Sequence, residues 1–203
     1  MTASLDGLDK HSREMFLRRY VGGAIRRGES LFYRGASTSA SLERYNAIAT
    51  SKLMDVQAYL ERIEYQGSLT CDHETLRQLH LSHLLHVPFE NLSIHAHEPI
   101  VLNDVALFEK VVTRRRGGFC YELNGLFAAL LRELGFEVSM LSAQVASDQG
   151  EFSPDFDHMT LMVGIKQARW LADVGFGDSF IEPLALETER ENRQRESTYR
   201  IVC

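Results

Sequence analysis

A single cysteine, Cys120, stands just past a Gly117-Gly118 turn, at the first turn of the run RRRGGFCYELNGLFAALLREL that extends from Arg114 to Leu134. A histidine, His158 in DFDHMTLMV, and an aspartate, Asp173 in WLADVGFG, follow it along the chain. Thiol, imidazole and carboxylate are the parts of a nucleophile, its base and a group that orients the base. A thiol at a helix N-terminus faces unpaired backbone N–H groups and the positive end of the helix dipole, which favour thiolate over thiol. The same N–H groups near Cys120 are natural donors to an oxyanion. In this arrangement His158 takes the thiol proton, the ion pair lowers the thiol pKa, and Asp173 fixes the tautomer and stabilises the imidazolium. Each residue also has a plain alternative: a buried small hydrophobe for Cys120, a structural imidazole for His158, a turn former for Asp173. A zinc reading of the three finds no recognisable ligand spacing.

The elements that must position these groups follow from periodicity. From Cys120 the apolar residues Leu123, Phe127, Leu130, Leu131 and Leu134 recur at steps of three and four, and Gly135 supplies a stop, which predicts an amphipathic helix. Upstream, MDVQAYLERI predicts a helix with Val56, Tyr59, Leu60 and Ile63 on one face, ended by Gly67. Asp72 can cap a second helix, with Leu76, Leu79, Leu84 and Leu85 as its stripe up to Pro88. His80, His83 and His86 recur on it at three-residue steps; lacking a carboxylate or cysteine partner at motif spacing, they read as polar or packing histidines rather than a metal site. The chain then turns through Glu90 and Asn91, and a third helix is expected over about 103–113, with Val105, Phe108, Val111 and Val112 inward. After Gly135 the period shortens towards two. Strands are expected over 136–145, 158–163 and 169–174, the last two joined by the turn 164–168. Antiparallel neighbours can set the start of one strand beside the end of the other, which is how His158 and Asp173 can meet at one sheet edge. LETERENRQREST reads as a charged surface segment, and Tyr199–Val202 as the start of a further strand. Helices first and antiparallel strands after give an α+β order.

The chain has 203 residues, 44% apolar and 25% charged, with a net charge of -6, which fits one large or two small globular domains. The acidic balance argues against a phosphate-tracking nucleic-acid surface. No run of 18 apolar residues and no signal-like N-terminus is present, so the expectation is a cytoplasmic protein without membrane attachment. Cys71, Cys120 and Cys203 are odd in number and form no CxxC, against a disulfide framework or a thiolate zinc site. The domains expected are an N-terminal extension over 1–53, where helices at 12–20 and 42–54 are the only elements suggested, a helical bundle carrying the nucleophile over 54–135, and a partial, truncated antiparallel β-barrel domain over 136–203.

RRGGFCYELNG, then DHMTLMV, then ADVGFG, together with VPFENL upstream, resembles the arylamine N-acetyltransferase family from about Met54 to Pro183. The resemblance implies that Cys120 accepts an acetyl group from acetyl-CoA as co-substrate, with no metal, and that His158 and Asp173 complete a triad like that of cysteine proteases. It implies that an aromatic amine or hydrazine then attacks the thioester in a ping-pong cycle, in the role these enzymes have in xenobiotic metabolism. It further implies a supporting pair of Arg116 and Glu122, site-shaping roles for Asn124, Phe89, Glu90 and Asn91, and contacts to an aromatic acceptor from Phe89, Phe119 and Phe176. The implied fold is a helical bundle, an antiparallel β-barrel and a C-terminal α/β lid, the lid and barrel closure being expected beyond Cys203. Three other readings use the same residues or none of them: a macrolactam-forming amide synthase of the same superfamily, a cysteine hydrolase, and a catalytically impaired interaction protein. The last would expose unpaired strand edges near Tyr199–Val202; for the acetyltransferase reading, a related expectation is that residues 1–53 supply packing or mediate self-association (homo-oligomerisation) in compensation for the lid.

Overall fold

The computed structural model describes residues 54–147, 149, 151–187, 191–195 and 197–201. The expected extension, its helices short of Met54, and Cys203 lie outside the described residues.

Three of the described helices start where a short polar side chain caps them. Asp55 accepts the N–H of Ala58 at 3.0 Å and opens α1 (Val56–Arg62). Glu64 takes a left-handed φ of 54° and stops α1 before Gly67 is reached. Asp72 accepts from Thr75 at 2.9 Å and opens α2 (His73–His86), which ends where Pro88 forces Val87 into extended backbone. The stripe of α2 is rotated from its expected course: Leu85 is 65% exposed, while Leu76, Leu79, His80 and His83 face the core. A short α3 (Leu92–His95) occupies what reads in sequence as a turn.

The third expected helix is two pieces. Asn103 caps α4 (Asp104–Phe108), which passes directly into one π-helical turn over Glu109–Thr113. A π turn carries an extra residue and so shifts the phase of the helix face. Val105 is therefore 76% exposed although the α-helical pattern puts it inward, and Lys110 is buried beside Val111 and Val112. α5 (Cys120–Glu133) ends in a Schellman motif: Gly135, at φ +90°, donates to Arg132 O at 3.0 Å, and Phe136 donates to Leu131 O at 2.9 Å.

Four antiparallel strands follow in spatial order β1-β2-β3-β4: Glu137–Ala143, His158–Ile165, Ala168–Ala172 and Leu184–Ala185. β1, β2 and β3 pack with the helices around a core that includes Tyr59, Leu79, Phe127, Leu161 and Val163, while Leu171 and Leu184 join Phe180 and Ile201 in a second cluster. The segment read as a charged surface run is a hairpin, β5 (Glu191–Gln194) with β6 (Ser197–Arg200), whose half-buried polar side chains give no apolar alternation to read. Among the described residues the strands form this open sheet and a separate two-stranded ribbon; a closed barrel is not found. Nor, among them, is any helix long and apolar enough to cross a membrane.

Candidate active site

Cys120 is the first residue of α5 and is 8% exposed. At that position the backbone N–H groups of Cys120 and Tyr121 have no carbonyl one turn earlier in the helix to receive them. The N–H of Phe119 is taken by Glu122 Oε2 at 3.2 Å, half of a capping box. The approach to this helix start is tight. A Cβ on Gly175 would lie 2.7 Å from Cys120 Cα, so only glycine lets the segment after Asp173 run against the nucleophile's backbone. On the other side a Cβ on Gly117 would lie 1.9 Å from Pro88 O, and Glu90 N–H donates to Gly118 O at 2.9 Å. The PFEN and RRGGFC segments are thus joined backbone to backbone, through a parallel bridge of Phe89 and Gly118.

β2 begins at His158, and its ladder with β3 ends at the pairing of Leu161 with Ala172, one residue short of Asp173. His158, at the start of β2, and Asp173, just past the end of antiparallel β3, therefore lie at the same end of the sheet. Their side chains meet: His158 Nε2 is 2.6 Å from Asp173 Oδ2. The other carboxylate oxygen accepts from Asn124 Nδ2 at 2.9 Å and from Gly175 N–H at 3.0 Å. Asn124, one turn along α5 from Cys120, also donates to Met159 O and accepts the N–H of Val174, so it ties the nucleophile's helix to both strand ends. Burial lowers the proton affinity of His158, but the bond to Asp173, a bond to Cys120 and the charges of both outweigh it and raise the ring to about 9. With Nε2 engaged by Asp173, Nδ1 is the nitrogen left for the sulfur. The edge of Phe176 packs on this ring at 5.2 Å and 86°.

The implied pair of Arg116 and Glu122 is not formed. Glu122 is buried and takes both its strong bonds, 2.7 and 2.8 Å, from Lys110, which the π turn swings inward. Arg116 instead donates to Glu90 at 2.8 Å and lies 3.6 Å from Glu98. Burial pushes the Glu90 carboxyl up, but the N–H of Leu92, Lys110 and Arg116 together hold it below the usual carboxylate range. Asn91 is exposed and serves α3, its carbonyl accepting from Ile94 at 3.0 Å. Phe89 is half exposed, with its Cγ 3.7 Å from where a Cβ on Gly177 would sit; the Phe119 and Tyr121 rings are 6.1 Å apart. Sequence reasoning missed Lys110 and His80. A lone lysine in the stripe of Leu107, Val111 and Val112 was the signal for the first. His80, read as a packing histidine, accepts the backbone N–H of Asp173 at 3.0 Å.

A family model described as N-acetyltransferase matches residues 72–203. An arylamine N-acetyltransferase / N-hydroxyarylamine O-acetyltransferase of Salmonella typhimurium is 38% identical over 148 residues, 72% of this chain and 53% of that protein. A solved arylamine N-acetyltransferase from that organism superposes with a TM-score of 0.68, covering 72% of this chain and 54% of its own. Proansamycin X synthase of Amycolatopsis mediterranei is 36% identical over 74% of this chain and 59% of its own. The Mycobacterium marinum arylamine N-acetyltransferase in complex with CoA has a TM-score of 0.64 at 38% identity, covering 69% of this chain and 54% of that one. The chain spans about half the length of the curated relatives it matches.

Proposed function

The chain belongs to the arylamine N-acetyltransferase family, and on that premise we propose that it transfers an acetyl group from acetyl-CoA to the nitrogen of an arylamine or arylhydrazine through a thioester on Cys120. The observation that supports the proposal is the 2.6 Å contact of His158 Nε2 with the buried carboxylate of Asp173, on a ring whose proton affinity Cys120 also helps to raise.

In the first half-reaction the Cys120 sulfur, its proton taken by His158, attacks the acetyl carbonyl. The oxyanion faces the N–H groups of Cys120 and Tyr121 at the helix start. The C–S bond to coenzyme A breaks, and its sulfur leaves with the proton from His158. In the second, the neutral amine attacks the thioester, His158 takes the amine proton, and the Cys120 sulfur departs. Products are coenzyme A, the N-acetyl compound and free enzyme, and no metal takes part. Phe89, Phe119 and Phe176 are assigned to the aromatic acceptor. Residues 54–135 carry the nucleophile and 136–203 the base and its orienter, in a protein we assign to the cytoplasm. The names of the relatives favour acetyl transfer over macrolactam closure.

Incubation of the full chain with acetyl-CoA, followed by peptide mass spectrometry, tests the reading. Acetyl on the Cys120 peptide, discharged by added arylamine and absent in Cys120→Ala, is the expected result. Absence of any acetyl-enzyme, or its discharge only to water, would overturn it.

A further inference from the structure

The backbone of Asp173 has no strand partner of its own, because the β3 ladder ends at Ala172. A buried N–H there would be an orphan donor. Its acceptor comes from a distant helix: His80 of α2, fully buried, receives it on Nε2 at 3.0 Å. The other ring nitrogen, Nδ1, is 3.0 Å from Ile181 O. An amide N–H can only donate and a carbonyl can only accept, so these partners require a neutral ring with its proton on Nδ1. An imidazolium would set a proton on Nε2 against the amide hydrogen of Asp173. Burial lowers the proton affinity of His80 by more than Ile181 O and the carboxylates of Asp173 and Glu182 raise it, which keeps the ring neutral. The ring is also fixed in place, stacked on Phe180 at 5.8 Å and 10° and meeting the edge of Phe127 at 6.3 Å.

One imidazole thus clamps both ends of the segment from Asp173 to Ile181, which carries the carboxylate and Phe176. We propose that His80 is a positioning residue for the chemistry at Cys120: its neutral Nδ1–H ring fixes the backbone of Asp173, and thereby aims the carboxylate at His158. The effect on acyl transfer rests on the function proposed above; the effect on His158 does not.

The test uses the full chain with isotope-labelled histidine, two variants and two readouts. His80→Gln sets an amide oxygen where Nε2 lies and keeps an acceptor for Asp173. His80→Asn sets an amide nitrogen near Nδ1 and keeps only the donor to Ile181. Each variant loses one bond and part of the ring's volume, so thermal stability falls similarly in both. The NMR midpoint of His158 should stay near its wild-type value in His80→Gln and fall by about one unit or more in His80→Asn. Alkylation of Cys120 at pH 7 should slow about tenfold to a hundredfold in His80→Asn, and far less in His80→Gln. Equal midpoints in the two variants would overturn the proposal. So would an Nε2–H tautomer or an imidazolium for His80 in the wild-type protein at pH 7, a measurement that needs no variant to fold. If the midpoints divide as expected but acetyl-CoA leaves Cys120 unmodified, the positioning role stands and the proposed function falls.

Discussion

Nε2 of His158 sits 2.6 Å from Oδ2 of Asp173, and that carboxylate is 1% exposed, with its other oxygen held by Asn124 and Gly175. A charge-assisted bond this short, away from water, fixes the ring's orientation as well as its proton. The testable consequences of the site start from it.

Replacing Asp173 by Asn removes the charge and the acceptor, while the burial that disfavours imidazolium remains. The NMR midpoint of His158 should fall from about 9 to its ordinary value near 6.5 or below. Acylation of Cys120 should slow by about 10⁴-fold, the loss that the same change produces in a Ser-His-Asp site. An unmoved midpoint in Asp173→Asn would contradict this account.

The raised proton affinity of His158 also sets a stability window. Its proton is bound more tightly in the folded chain than in the unfolded one, so the contribution is complete below about pH 6.5 and is lost as pH rises through about 9. It is at most about 3 kcal/mol. Urea unfolding at pH 6, 7.5 and 9.5 on wild type and His158→Gln should show the difference between the two shrinking across that interval; a difference that grows with pH would reverse the sign.

Gly175→Ala would press a Cβ to 2.7 Å from Cys120 Cα, a backbone atom with no freedom to give way. The expected loss is about 1–3 kcal/mol of stability. Slower alkylation of Cys120 should accompany it, because the helix start must shift. Unchanged melting together with unchanged alkylation would show that the approach is looser than described.

Lys110 and Glu122 form a buried pair, so Lys110→Met should leave an uncompensated carboxylate and destabilise by about 3–5 kcal/mol. Adding Glu122→Gln should recover much of that loss. Arg116→Ala, a part-exposed change, should cost about 1 kcal/mol or less. In double-mutant cycles the coupling with Glu122 should therefore be large for Lys110 and near zero for Arg116; the reverse would restore the pair that the family resemblance implies.

Much of the scaffold was legible because its signals are local. Asp72 starts α2 and Gly135 ends α5 through bonds made within one turn, and the apolar steps from Leu123 to Leu131 state that α5 has a buried side. The period of two after Gly135, with a short turn between two of the runs, gave β2 and β3 and so the level at which His158 and Asp173 lie. Less was legible where an element's own pattern is weak, as in β5 and β6, or where one extra residue per turn breaks it, as at Glu109–Thr113.

The sequence by itself determined the cast: a cysteine at a helix start, a histidine opening one strand, an aspartate at the end of the next, and glycines that turn the chain ahead of the cysteine. The tertiary structure alone decided who pairs with whom, giving Glu122 to Lys110, Arg116 to Glu90, and the backbone of Asp173 to His80. Periodicity fixes a side chain's direction only relative to its own helix or strand axis. Its partner depends on how those axes are rotated and spaced against one another, and here a single π turn was enough to change the answer.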